Sequence, residues 1–145
     1  MVNVDIALRL LANIEGFIAD LKSAGDITQE RFLTDVRAQR FVERTLQIAI
    51  EACINLTHHI ISDKRWREPS NYADAFMVLA EHGVITADQA QRYALMARFR
   101  NKIVHFYETV DPLQVFTIFK KRLGDFDDFV ATLRAWLDRE SSCGS

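Results

Sequence analysis

The run Arg100-Asn101-Lys102-Ile103-Val104-His105-Phe106-Tyr107 gathers the side chains of this sequence that are best suited to chemistry. An arginine keeps its charge at any working pH, so it suits a permanently anionic partner such as a phosphate. A histidine takes and gives a proton near neutral pH, which suits acid–base work. Asn101 can orient a phosphate or an imidazole. With no metal-ligand spacing beside them, arginine and histidine form a kit for cleaving a phosphodiester. The competing reading is a solvated helix end, with Lys102 as a free charge or a contact to an RNA backbone. Tyr107 alone would be a half-buried amphipathic side chain.

The helix that carries this run sets a geometric problem. Asn101 and His105 are four apart and share a face. Arg100 and His105 are five apart, which turns them roughly 140° from one another on a straight helix. Either the backbone unwinds between them, or a second copy of the chain supplies the missing group. Asp111-Pro112 starts another helix just downstream, through a capping side chain and a proline at the first helical position.

Arg100, four residues, His105, one residue and Tyr107 together resemble the R-x4-H-x-Y signature of the HepT branch of the HEPN superfamily. The helical pattern on both sides is similar to that family, as is the run Leu46-Gln47-Ile48-Ala49-Ile50-Glu51-Ala52-Cys53. The likeness extends from the first helix to the last. It implies a homodimer in which two motifs meet at a helix junction, and a metal-independent endoribonuclease acting as the toxin of a type VII toxin–antitoxin system. Arg100, His105 and Asn101 would be catalytic, with no cofactor. The ribose 2′-hydroxyl would attack the adjacent phosphorus, which makes RNA the substrate. Tyr107 would accept AMP from a minimal nucleotidyltransferase antitoxin, MntA-like in kind. The alternative is a non-catalytic helical partner that binds nucleotide or substrate for a nucleotidyltransferase.

Composition frames these expectations. The chain has 145 residues, 49% of them hydrophobic and 26% charged, enough for one domain with a proper core. Its formal net charge of −2 argues against a protein that binds nucleic acid through its overall field, so any RNA contact is local. The N-terminus has no basic stretch followed by an apolar core, and no apolar run approaches the ~18 residues of a membrane span. Cys53 reads as a buried small hydrophobe and Cys143 as part of a polar tail, usage that fits a reducing cytoplasm. His58, His59 and His82 lack the spacing of a metal set.

Periodicity supplies the scaffold. Val4, Leu8, Leu11, Ile14, Ile18 and Leu21 predict a helix over 3–24, with Gly25 placed to stop it in a left-handed conformation. A short turn runs through Phe32 and Leu33. Val42, Leu46, Ala49, Cys53, Leu56 and Ile60 predict a long spine over about 35–62. Glu51 interrupts its apolar face, either pointing into the site or held by a structural partner. The polar segment 63–70, with Lys64-Arg65-Trp66-Arg67, reads as a loop that is solvated or that meets RNA or a partner. A short helix capped by Ser70 or Asn71 follows, containing Tyr72, Phe76 and Leu79. Thr86 and Gln89 have the form of a capping box for the helix that delivers Arg100. Phe116, Phe119, Leu123, Phe126, Val130, Leu133 and Leu137 predict one last helix, continuous across Gly124. The expected architecture is all-α: an up-and-down four-helix bundle with an additional short helix, residues 1–140 forming the domain and 141–145 a disordered tail.

Overall fold

Residues 2–105 and 110–143 are described in the computed structural model of the chain, and every regular element among them is an α-helix. The helices are α1 (Val4–Ser23), α2 (Gln29–Thr34), α3 (Val36–Lys64), α4 (Tyr72–Glu81), α5 (Ala87–His105), α6 (Pro112–Lys121) and α7 (Leu123–Cys143). The all-α bundle is as expected. Four long helices carry it, with three short ones rather than one.

Local chemistry explains most boundaries. Asn71 caps α4, accepting from the Asp74 amide at 2.8 Å. Thr86 and Gln89 cap α5 reciprocally: the Gln89 amide donates to Thr86 Oγ1 at 3.1 Å and the Thr86 amide to Gln89 Oε1 at 2.8 Å. Asp111 caps α6, with Pro112 in its first turn.

The spine, α3, has 29 residues and packs against α1, α2, α4, α5 and α6. Its core stripe includes Val42, Leu46, Ala49, Cys53, Leu56 and Ile60, each fully buried. Burial pushes the Cys53 thiol far above its ordinary range, leaving it a small apolar filler. Phe76, Tyr93 and Phe129 meet edge to face, joining α4, α5 and α7. A polar cluster locks the same seam: Tyr93 Oη donates to Asp128 at 2.5 Å, Gln89 Nε2 reaches Asp128 and Thr132, and Arg92 bridges to Asp125 at 3.0 Å.

Three expectations require correction. The predicted last helix is two helices, because the chain breaks at Arg122, the C-cap of α6, before α7 begins at Leu123. Phe119 and Phe126 are buried on either side, so the apolar period carries across a bend. The second helix runs on to Cys143, into the segment expected to be an unstructured tail. Gly25 is not left-handed: α1 stops at Ala24, φ −96°, and the positive φ values are at Arg65 (57°), which caps α3, and at Gly83 (75°) after α4.

The basic segment after α3 is tied inward. Arg67 forks onto Asp74, 2.7 Å from Oδ2, and onto Glu81 at 2.8 Å. That guanidinium holds the Asp74 carboxyl well below the usual range. Lys64, in the last turn of α3, pairs with Glu140. Trp66 stacks on His82, ring centroids 3.9 Å apart. Among the described residues, no helix is long and apolar enough to cross a membrane.

Candidate functional site

The Arg100 side chain leaves α5 toward α3 and α4 rather than toward open solvent. It is only 15% exposed, and its Nε donates to Glu51 Oε1 at 3.1 Å. Its Nη1 donates to Asn101 Oδ1 at 3.2 Å, and the guanidinium lies 5.2 Å from the Tyr72 ring centre. Gln47, one turn earlier on α3, donates to the same Glu51 oxygen at 2.9 Å. A carboxylate, an amide and an aromatic face therefore fix the arginine, and no described residue bonds its Nη2 donors, which suit an anion. Beside it opens a small cavity of about 110 Å³, lined by Glu51, Ile54, Asn55, Tyr72 and Arg100.

Glu51 is held by structural partners, Gln47 and Arg100, and lines the cavity beside the arginine. Asn101 engages the guanidinium. Lys102 points elsewhere and donates to Gln114 Oε1 at 2.9 Å, linking α5 to α6. His105 is exposed on α5. The helix is regular up to it, so the backbone does not unwind between Arg100 and His105, and the two diverge by roughly 140° within one chain. Tyr107 lies outside the described residues.

Sequence reasoning misses Tyr72 as a site residue. By spacing it belongs to a core stripe, yet it is 39% exposed, with Arg100 against its ring and the His58 ring set edge to face, centroids 6.0 Å apart. Only an aromatic one residue past the Asn71 cap hints at it, and spacing alone cannot connect it to α5. His58 Nε2 is buried and has no hydrogen-bond partner among the described residues. His59 Nε2 comes within 3.1 Å of Asp63 Oδ2 but without hydrogen-bond alignment. Among the described residues, no three His, Cys, Asp or Glu side chains gather as a metal site would require.

An all-helical bundle with an anchored arginine and, five residues on along the same helix, an exposed histidine defines the class. A family model described as Ribonuclease HepT-like matches residues 14–133, and the chain belongs to that family. The mRNA nuclease HepT of Shewanella oneidensis is 30% identical over 132 residues, spanning 90% of this chain and 98% of that protein. The tRNA nuclease HepT of Aphanizomenon flos-aquae is 27% identical over 121 residues, 83% of this chain and 82% of that one. Among solved structures, a tri-AMPylated Shewanella oneidensis HEPN toxin in complex with MNT antitoxin superposes with a TM-score of 0.82 at 28% identity. That match covers 93% of this chain and 99% of the other.

Proposed function

We propose that this chain is the ribonuclease toxin of a toxin–antitoxin pair, acting as a homodimer without a metal ion. The observation that carries the reading is the Arg100 guanidinium, oriented by Glu51 and Tyr72, on the helix that also carries exposed His105. The nuclease relatives and the toxin–antitoxin complex support it.

In this scheme an imidazole of His105 takes the proton from a ribose 2′-hydroxyl. The 2′-oxygen attacks the adjacent phosphorus, the bond to the 5′-oxygen breaks, and an imidazolium returns a proton to the departing oxygen. The products are a 2′,3′-cyclic phosphate and a 5′-hydroxyl. Arg100 holds the non-bridging oxygens as negative charge builds on them. Because the two residues diverge within one chain, the arginine of one protomer works with the histidine of the other. A nucleotidyltransferase antitoxin silences the site by transferring AMP to Tyr107, since the added anionic bulk blocks RNA and cancels the arginine's charge.

The test is cleavage of RNA by the purified, unmodified protein in EDTA, beside Arg100→Ala and His105→Ala. Cleavage that survives EDTA, leaves cyclic phosphate ends and vanishes in both variants is expected. Equal background in all three samples, with intact protein shown by mass to carry no adenylate, overturns the nuclease reading in favour of a non-catalytic nucleotide-binding partner. Incubation with the nucleotidyltransferase and ATP should add adenylate to wild-type protein and none to Tyr107→Phe.

A further inference from the structure

A second cavity, of about 320 Å³, opens between α5 and α6 on the side of α5 away from Arg100. Met96 and Phe99 from α5 and Ile118 from α6 supply apolar lining, with exposed Leu95 at the lip. Four cations border it (Arg92, Arg98, Lys102 and Arg122) against the single carboxylate of Asp125. This is a local excess in a chain whose net charge is −2. Arg92 is neutralised by Asp88, Asp125 and Asp128. Lys102 donates to the neutral Gln114, and no described carboxylate pairs with it. Arg98 and Arg122 are exposed, and neither side chain has an ion-pair partner among the described residues.

Helical geometry aims this groove at His105. Arg98, Lys102 and His105 lie on one side of α5, with His105 roughly 10 Å along the axis from Arg98. Arg100 faces the other way, into the Glu51–Tyr72 cavity.

We propose that the α5–α6 groove is a subsite for single-stranded RNA, holding a nucleotide adjacent to the one that reacts at His105. The inference rests on the ribonuclease reading above and extends it to the path of the substrate. One base packs on the apolar lining while Arg98, Arg122 and Lys102 take the flanking phosphates, the combination by which single strands are bound with little sequence preference. An apolar or basic protein surface docked there would leave three cations without anions to meet them. A polyanion with an apolar base meets both.

The test uses the wild-type chain and a fluorescent 2′-O-methyl oligoribonucleotide, which cannot be cut because its nucleophile is blocked. Arg98→Ala/Arg122→Ala is expected to weaken binding at least tenfold. It should also flatten the dependence of log affinity on log salt by roughly 1.4, because two phosphates of a single strand are no longer neutralised. Arg9→Ala/Arg139→Ala removes the same charge from exposed positions on α1 and α7 and is expected to change affinity less than twofold. Equal weakening in both pairs, or none in either, overturns the subsite. Unchanged RNA affinity with lost self-association or lost nucleotidyltransferase binding also overturns it and makes the groove a protein interface. Binding that depends on Arg98 and Arg122 in a wild-type chain that cuts no RNA would instead sink the nuclease reading and leave the subsite standing.

Discussion

Arg100 of α5 and Glu51 of α3 meet across the helix interface, Nε to Oε1 at 3.1 Å, with 15% and 30% of their side chains exposed. At that depth the pair does more to orient than to stabilise. Removing the carboxylate should cost roughly 1 kcal/mol of stability. Under the proposed mechanism its larger effect is on a guanidinium that must be in place before charge develops on the phosphate. Glu51→Ala is expected to lower kcat by roughly tenfold to a hundredfold with little change in KM. Glu51→Gln, which keeps an acceptor, should recover most of it. Steady-state cleavage of a short RNA separates the two parameters, and a pure KM effect would show that Glu51 does not position Arg100.

Divergence of Arg100 and His105 on a regular α5 gives the composite site a direct genetic test. Mixed dimers of Arg100→Ala with His105→Ala contain one site with both groups intact and one with neither. Unfolding and refolding equal amounts together should restore roughly a quarter of wild-type activity, since half the dimers are mixed and each has one working site. Zero recovery in a preparation that contains mixed dimers would mean that both groups act from the same chain.

Acid should loosen the seam between α5 and α7. Burial alone would raise the Asp128 carboxyl, but hydrogen bonds from Tyr93 and Gln89 and the charge of Arg92 outweigh it and hold the group below its usual value. A depressed folded value means that the unfolded chain takes the proton more readily. The stabilisation is therefore complete above about pH 3.9 and is lost as pH falls from there through the lower folded value. Asp128→Asn should melt earlier at pH 7 and show a shallower loss of Tm on acidification than wild type. Parallel Tm curves would rule out this carboxylate as a contributor.

Gly83 closes α4 with φ 75°, and a Cβ there would meet no atom within 4 Å. Any penalty for a side chain is thus backbone strain alone. Gly83→Ala should cost about 1–2 kcal/mol, measured by urea denaturation, with cleavage unchanged when corrected for folded protein.

Helix starts are legible wherever a side chain has a single local task. Thr86 with Gln89, Asn71, and Asp111 with Pro112 name their boundaries because capping is settled within four residues. The bend at Arg122 is hidden because apolar residues three and four apart read the same on either side of it. Gly124 is the one local sign, and by itself it reads only as a propensity cost. At the site, Arg100 and His105 stand out by type and spacing. Tyr72 does not, because its contact with Arg100 depends on how α4 lies against α5, a tertiary fact that no window of sequence contains. Glu51 falls between: a carboxylate on an apolar helix face calls for a partner without saying which.

Lys102 and Gln114 join α5 to α6 across twelve residues of sequence, and the six residues between these helices include Tyr107. That bond fixes, relative to each other, the two helices that bound the intervening segment. The entropy of bringing its ends together is already spent in the folded bundle, and it varies only slowly with the number of residues enclosed. Length changes in this segment should therefore be tolerated by the fold far better than by the proposed regulation: a residue inserted or deleted there would shift Tyr107, the proposed AMP acceptor, while leaving α5, which carries Arg100 and His105, where it is.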